Sequence, residues 1–227
     1  MSRTFVADAT PELWSKAWCA QSCAAQQAAN ALIDLLAWFN GAKHEAFDAY
    51  ASHLLFCKPL PTSVLEIGCG AGYYQAVTAR LLPSSLFYGI DVSQALIECA
   101  KRDYPRGVFD VGTAESLPYA NGQFDMTVLG SVLGCCDDWL KAIEEAFRVS
   151  GRYVMLHRMA MHNNPTWPDV MNSVKTAYDV RMAERIFSQK VIMKKLKQHG
   201  VRAGNSLTWD QSSEGFQASY LFEKYKT

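Results

Sequence analysis

The residues with the clearest chemical meaning are an acid and three alternating glycines that follow a short apolar run, Val64-Leu65-Glu66-Ile67-Gly68-Cys69-Gly70-Ala71-Gly72. The apolar run predicts a buried strand, and the glycines predict a tight turn whose backbone contacts a ligand. Without a Cβ, Gly68 and Gly70 can take a positive φ and let a bound molecule lie against the chain. The helix expected next offers its N-terminus to that molecule. This segment therefore predicts a ligand site built largely from backbone.

A second acid lies where a nucleoside would need one. The apolar run 86–90 ends in Asp91, which is 21 residues after Gly70, and Val92 follows it. An acid at this interval, at the end of the second strand, can accept hydrogen bonds from both ribose hydroxyls because a carboxylate has two acceptor oxygens. Ser93 then predicts the N-cap of a helix. Together with the glycine turn, Asp91 predicts a cofactor that contains a nucleoside.

The spacing of the glycines distinguishes between two classes of cofactor. The dinucleotide fingerprint G-x-G-x-x-G would place its third glycine where this chain has Tyr73. The pattern E-x-G-x-G-x-G instead resembles the first motif of class I S-adenosylmethionine (SAM) dependent methyltransferases. The resemblance implies that Glu66 helps to hold the cofactor's ammonium group, and that Gly68, Cys69, Gly70 and Gly72 pack against its methionine part. A dinucleotide-dependent oxidoreductase is the less favoured alternative.

Two later segments extend this resemblance, which covers roughly residues 61–160. Residues 111–118 resemble the family loop G-D-A-E-x-L-P that holds the adenine edge, which implies contacts from Thr113, Ala114 and Glu115. Because Thr113 replaces the usual Asp, its hydroxyl either accepts from the adenine amine or is a solvated loop group. Residues 122–130 resemble the fourth strand of the family, and they imply that Leu129 and Gly130 border the cofactor.

The resemblance implies SAM as cofactor, S-adenosylhomocysteine as product and methyl transfer to a small-molecule acceptor by in-line displacement. His157 is expected to end the fifth strand at the ligand-binding edge, either as a general base or as a packed structural histidine. Arg158 beside it could bind an anion, and His162 in the next loop is a weaker candidate base. Trp14 and Trp18, four residues apart on one predicted helix, form either core or a wall of the acceptor pocket.

The elements that must position these residues follow an α/β pattern, because apolar runs alternate with helical segments after residue 61. We expect one domain, 1–227, in which a helical N-terminal cap (1–60) covers a Rossmann-like core (61–227). The resemblance implies a doubly wound, mostly parallel sheet of seven strands. Sequence periodicity predicts helices over 11–40, over His44 to Phe56 and over 168–199, and final strands over 202–209 and 218–225.

Composition limits the choice of acceptor and compartment. The 227 residues carry 22 basic and 22 acidic side chains, so nucleic acid is not the expected partner, although an RNA acceptor and a catalytically inert SAM-binding module stay open. A local excess of positive charge over 175–202 is either a solvated helix face or a site for an anionic acceptor, such as a sugar nucleotide or phosphorylated metabolite.

The seven cysteines, without an export signal, predict reduced thiols in a cytoplasmic protein. No metal site is expected, because the adjacent Cys135 and Cys136 lack the spacing of zinc ligands. No apolar segment approaches the ~20 residues of a membrane span. The oligomeric state is not indicated by the sequence.

Overall fold

The computed structural model describes residues 4–6, 9–212 and 215–225. The strands are β1 (Thr4–Val6), β2 (Ser63–Ile67), β3 (Leu86–Asp91), β4 (Val108–Val111), β5 (Phe124–Gly130), β6 (Ser150–His162), β7 (Val170–Ala177), β8 (Val180–Ser188), β9 (Val201–Ser212) and β10 (Gly215–Lys224). The α-helices are α1 (Gln21–Phe39), α2 (Glu45–Phe56), α3 (Tyr74–Leu81), α4 (Gln94–Asp103), α5 (Trp139–Val149) and α6 (Gln189–Lys197).

The predicted seven-stranded Rossmann-like sheet is confirmed. Strands β4, β3, β2, β5 and β6 lie side by side and parallel, and β10 and then β9 follow antiparallel beyond β6. Apolar side chains of α2, α3 and α4 pack on one face of this sheet and those of α5 and α6 on the other. Because both faces are covered, the central strands are buried and apolar along most of their length.

Within the described residues, three further strands, β1, β7 and β8, extend the sheet to ten, and β7 and β8 replace most of the helix predicted over 168–199. There β7 and β8 form an antiparallel hairpin, and only α6 is helical. The two residues that join the strands, Tyr178 and Asp179, both have a positive φ, as a tight hairpin turn requires. Neither is glycine, so the usual sequence signal of such a turn is missing. The end of β6 pairs with β8, and β1 pairs with β7.

The N-terminal helix predicted over 11–40 is interrupted. Two short 3-10 helices, Pro11–Leu13 and Ser15–Cys19, precede α1, and Ala20 between them and α1 is extended, with φ −64° and ψ 131°. Trp14 therefore does not share a helical face with Trp18. The second predicted helix is confirmed as α2. His44 is the N-cap of this helix, and its side chain accepts a hydrogen bond from the backbone of Phe47.

The last two predicted strands are confirmed as β9 and β10, and they are longer than expected. Strand β6 also continues to His162, so that His157 lies within the strand and does not end it. Across the described ranges, none of the helices has both the length and the apolar character needed to cross a membrane.

Candidate functional site

The glycine turn after β2 is held between two other parts of the chain. Gly68 and Gly70 have φ values of +72° and +54°, which favour glycine. A Cβ on Gly68 would lie 2.7 Å from the Cβ of Val132, and a Cβ on Gly70 would lie 2.2 Å from Oε1 of Gln27. That same Gln27 oxygen, from α1, accepts a hydrogen bond from the backbone of Ala71 at 3.0 Å. The turn therefore needs glycines for its conformation and for its close neighbours.

A cleft opens at the carboxyl ends of β2, β3 and β5, where open α/β sheets bind ligands. Its empty volume, including the part open to solvent, is about 830 Å³. The residues of the predicted cofactor set that line it are Glu66, Gly68, Cys69, Gly70, Asp91, Val92, Thr113, Ala114, Glu115 and Gly130. From the predicted acceptor set, Trp18 and Arg158 line it as well.

Two residues expected at the cofactor lie outside this cleft. A Cβ on Gly72 would lie 2.8 Å from both the Cβ of Ala100 and the ring of Phe109, so this glycine lets the turn pack closely on α4 and β4. Leu129 is fully buried among the apolar side chains that contact α5 and α6. Gly72 and Leu129 were predicted to contact the cofactor because of their positions in the motifs, whereas in the structure both residues pack in the core.

Glu66 provides an acceptor with no partner inside the protein. Its side chain is 2% exposed, and its Oε2 has no hydrogen-bond partner in the structure. Burial raises the pKa of this carboxyl well above its usual range, although the positive charge of Arg158 opposes that shift. A buried carboxylate oxygen is costly unless a donor pairs with it. An ammonium group bound in the cleft would supply such a donor, so Glu66 fits the methionine end of SAM.

Asp91 both holds the glycine turn and borders the cleft. Its Oδ2 accepts a hydrogen bond from the backbone of Gly70 at 2.8 Å, and its Oδ1 accepts one from the backbone of Ser93 at 2.9 Å. Burial raises the pKa of this carboxyl, and the backbone hydrogen bonds oppose the shift. Each carboxylate oxygen can accept a further hydrogen bond. Asp91 therefore fits a ribose diol while it stabilises the turn, a second role that the sequence did not indicate.

The loop after β4 borders the cleft and is bonded to α5. Glu115 Oε1 accepts hydrogen bonds from the backbone of Asp137 at 2.9 Å and of Asp138 at 3.1 Å. Farther along the loop, the backbone of Leu117 donates to Oε2 of Glu145. These bonds fix the edge of the cleft that the sequence assigns to adenine. Thr113 is exposed on this edge, and its contact with adenine stays a prediction.

The two candidate histidines are not where the sequence predicted them. His157 is fully buried away from the cleft, with Nε2 2.7 Å from the hydroxyl of Tyr74 and Nδ1 3.0 Å from Oγ of Ser219. Burial lowers the pKa of His157 well below its usual range. His162 donates from Nε2 to the carbonyl of Pro168 at 3.0 Å. The expected position at the ligand edge is wrong because β6 runs farther than predicted, and no histidine of the described residues lines the cleft.

The two tryptophans lie in different places. Trp14 is 8% exposed and stacks on the guanidinium of Arg185, whose central carbon is 3.9 Å from the ring centroid. It is outside the cleft. Trp18 lines the cleft and contacts the edge of Tyr178 in the β7–β8 turn. Of the two alternatives predicted for these residues, core packing agrees with the position of Trp14, and an acceptor wall agrees with the position of Trp18.

Several cleft residues were missed by the sequence analysis, namely Ser15, Gln27, Tyr73, Leu96, Gly112, Ser131, Val132, Cys135, Cys136 and Asp137. Tyr73 had a usable signal, because it directly follows the glycine turn. Ser131 had none, yet it has a φ of +64° and donates from its backbone to the carbonyl of His157 at 2.8 Å. Such strain in a residue other than glycine is concentrated at functional sites.

Comparison with known proteins agrees with this geometry. Residues 65–153 match a family model described as a methyltransferase domain. The chain is 27% identical over 131 residues to a malonyl-[acyl-carrier protein] O-methyltransferase of Legionella pneumophila, a match that covers 55% of this chain and 43% of that protein. The chain spans about half the length, or less, of the first curated relatives that it matches.

Solved structures share the fold. One is a magnesium protoporphyrin IX methyltransferase from Synechocystis with bound S-adenosylhomocysteine, with a TM-score of 0.60, 14% identity and coverage of 85% of this chain and 94% of that one. Another is the [4+2]-cyclase SpnF, with a TM-score of 0.60, 16% identity and coverage of 90% and 95%. Residues 65–153 thus resemble a methyltransferase domain, and the chain shares the fold of solved SAM-dependent methyltransferases.

Proposed function

We propose that this protein transfers a methyl group from SAM to a small-molecule acceptor. The observation that carries the proposal is the cleft itself, in which the unpartnered carboxylate of Glu66 and the turn-bound carboxylate of Asp91 face one space beside the glycine turn. These groups match the ammonium and the ribose of one cofactor.

Bound SAM supplies a methyl group that is already activated, so the protein's task is to position two reactants. Glu66 and Asp91 would orient the cofactor, and the loop over 112–118 would enclose its adenine. Trp18 and Tyr73 present aromatic surface to the same cleft, where an acceptor would lie. The cleft is partly enclosed by the N-terminal segment that carries Ser15 and Trp18, which would limit the access of water.

Among the described residues that line the cleft, neither histidine nor tyrosine offers a general base. No histidine of the described ranges lines it, and burial raises the pKa of the Tyr73 phenol, which makes this group a poor base at neutral pH. An acceptor atom that is nucleophilic without help, such as a carboxylate oxygen or a neutral amine, suits this site better than an aliphatic alcohol. The Legionella relative named above is a malonyl-[acyl-carrier protein] O-methyltransferase, and its name agrees with an oxygen acceptor.

The basic run over 175–202 gives little support to an anionic acceptor. Lys175 forms an ion pair of 2.8 Å with Glu184, and Arg185 stacks on Trp14 and donates to the carbonyl of Cys136. Neither Lys175 nor Arg185 lines the cleft. We therefore propose a small-molecule acceptor without requiring that it be anionic.

A second candidate is a SAM-binding protein that does not transfer methyl groups. The cyclase SpnF has the same fold, which illustrates that this fold alone does not determine methyl transfer. Both candidates share the cofactor and differ in turnover.

Calorimetry and a turnover assay test the proposal together. We expect SAM and S-adenosylhomocysteine to bind at micromolar level or better, roughly −8 kcal/mol, and NAD⁺ not to bind. Release of S-adenosylhomocysteine from SAM should then be measured with a panel of carboxylates, amines and phenols and with total RNA. Turnover on a small molecule supports the proposal. The absence of binding to either cofactor form contradicts it, and binding without turnover on any acceptor favours the second candidate.

A further inference from the structure

The cleft contains one cation among several acids. Of the described residues that line it, Arg158 is the only one with a basic side chain, whereas Glu66, Asp91, Glu115 and Asp137 are acidic. Glu66 and Arg158 interact electrostatically, because the positive charge of Arg158 lowers the pKa of Glu66, yet no ion pair joins these two side chains. A carboxyl group and a guanidinium thus line the same cleft without forming an ion pair with each other.

A β-bulge turns Arg158 toward the cleft. Met159 pairs with Ala218 and Leu156 pairs with Tyr220, so that both His157 and Arg158 lie opposite Ser219. Arg158 also has a φ of +57°, which is unusual for a large side chain. Adjacent residues of a regular strand point to opposite faces, and bulges next to functional sites redirect side chains.

As a result of this bulge, His157 and Arg158 both reach the start of α3. His157 contacts the hydroxyl of Tyr74, and Arg158 donates from its guanidinium to the hydroxyl of Tyr73. The interaction with the two phenols raises the pKa of Arg158, so its charge is permanent.

A buried chain of hydrogen bonds supports the guanidinium. The hydroxyl of Ser219 donates to the carbonyl of Leu156 at 3.2 Å, so Nδ1 of His157 donates to Ser219 and Nε2 accepts from Tyr74. The lone pairs of the Tyr74 oxygen are then available to the guanidinium of Arg158, with which this phenol interacts. In this arrangement a neutral His157 orients Tyr74, and Tyr73 and Tyr74 orient Arg158.

We propose that Arg158 binds the α-carboxylate of the cofactor while Glu66 binds its α-ammonium, so that the two residues together recognise the amino-acid end of SAM. SAM has one carboxylate, and the cleft offers one guanidinium, whose planar donors match a carboxylate in a two-bond geometry. The unpartnered oxygen of Glu66 and the absence of an ion pair leave a place for both charges of an amino acid. This inference rests on the proposed function, because it concerns the same cofactor. His157 and Tyr74 are positioning residues in it.

A set of ligands that differ only at the amino-acid end tests the assignment. Binding of S-adenosylhomocysteine, its decarboxylated analogue and 5′-methylthioadenosine is measured by calorimetry for the parent, for Arg158→Met and for Arg158→Lys. Arg152→Met is the matched control, because Arg152 is also half-buried on β6 but forms an ion pair with Glu223 outside the cleft. Thermal unfolding of each variant shows whether it folds.

We expect Arg158→Met to weaken the binding of S-adenosylhomocysteine by about 10- to 100-fold. The affinities of the two ligands without a carboxylate should change by less than about 3-fold. Arg158→Lys should lose part of the affinity for S-adenosylhomocysteine, since lysine keeps the charge without the planar donors. If the Arg158→Met protein does not fold, the Arg158→Lys protein provides the test in its place. Arg152→Met should bind all three ligands as the parent does.

Several outcomes overturn the assignment while leaving the proposed function intact. If the parent binds S-adenosylhomocysteine and Arg158→Met binds it equally well, Arg158 does not contact the cofactor's carboxylate and faces the acceptor. If all three ligands lose affinity equally, the arginine acts only through the shape of the cleft. A parent that binds none of the three ligands overturns both this inference and the proposed function.

Discussion

At the scale of single residues, the site depends on side chains that have a structural task and a ligand-facing task at once. Asp91 is the clearest case, because its two oxygens already accept hydrogen bonds from Gly70 and Ser93. The sequence predicted its place at the end of β3 from spacing alone. It could not predict the second task, which depends on the path of the turn in space.

The substitution Asp91→Ala should weaken SAM binding by about 1.5–3 kcal/mol, because it removes a charged acceptor and loosens the glycine turn. Calorimetry measures the change. Asp110→Ala is the control, since Asp110 is exposed on the neighbouring strand β4 and does not line the cleft. Unchanged SAM affinity in a folded Asp91→Ala protein would show that the ribose assignment is wrong.

At the scale of elements, the sequence predicted best where strong apolar periodicity met a clear turn. Strands β2 and β3, helix α2 and the last two strands follow from such patterns. The β7–β8 hairpin was missed because its turn uses Tyr178 and Asp179 at positive φ, a conformation that these residue types do not signal. The cleft edge at Ser131 was missed for the same reason. His157 was misplaced because nothing local marks where β6 ends or where its bulge lies.

The glycine turn offers a test of element packing. Gly68→Ala and Gly41→Ala both place alanine at a positive φ, but a Cβ on Gly68 would lie 2.7 Å from Val132, whereas nothing lies within 4 Å of a Cβ on Gly41. Strain alone costs about 1–2 kcal/mol at either position. We expect Gly68→Ala to lower the free energy of unfolding by about 1–3 kcal/mol more than Gly41→Ala does, because of the added crowding.

Denaturant unfolding of the two variants measures that difference. Equal losses would mean that Val132 moves aside freely, and the turn would then be less tightly packed on the segment after β5 than the structure indicates.

At the scale of the whole molecule, the fold follows from a small part of the chain. The motifs over residues 61–160 predicted the sheet, the cofactor class and about half of the residues that line the cleft, while the three additional strands and the N-terminal 3-10 helices came from tertiary packing that no local pattern carries. The same fold occurs in a methyltransferase and in a cyclase. What distinguishes this protein therefore lies in how its buried polar groups are arranged, including a pair of buried histidines, His53 on α2 and His157 on β6.

That pair predicts how stability depends on pH. His53 on α2 is buried near His157 and Ser219, and burial lowers the pKa of His53 from 6.5 to about 4. Because the unfolded chain takes up the proton first as pH falls below about 6.5, folding loses up to about 1.4 kcal/mol per pH unit from this residue until about pH 4. The raised pKa of Glu66 acts in the opposite direction, so a variant is needed to isolate the histidine. We expect the melting temperature of the parent, relative to His53→Asn, to fall by about 3–6 °C between pH 6.5 and 5. Parallel pH profiles for the two proteins would show that His53 keeps an ordinary pKa in the folded state.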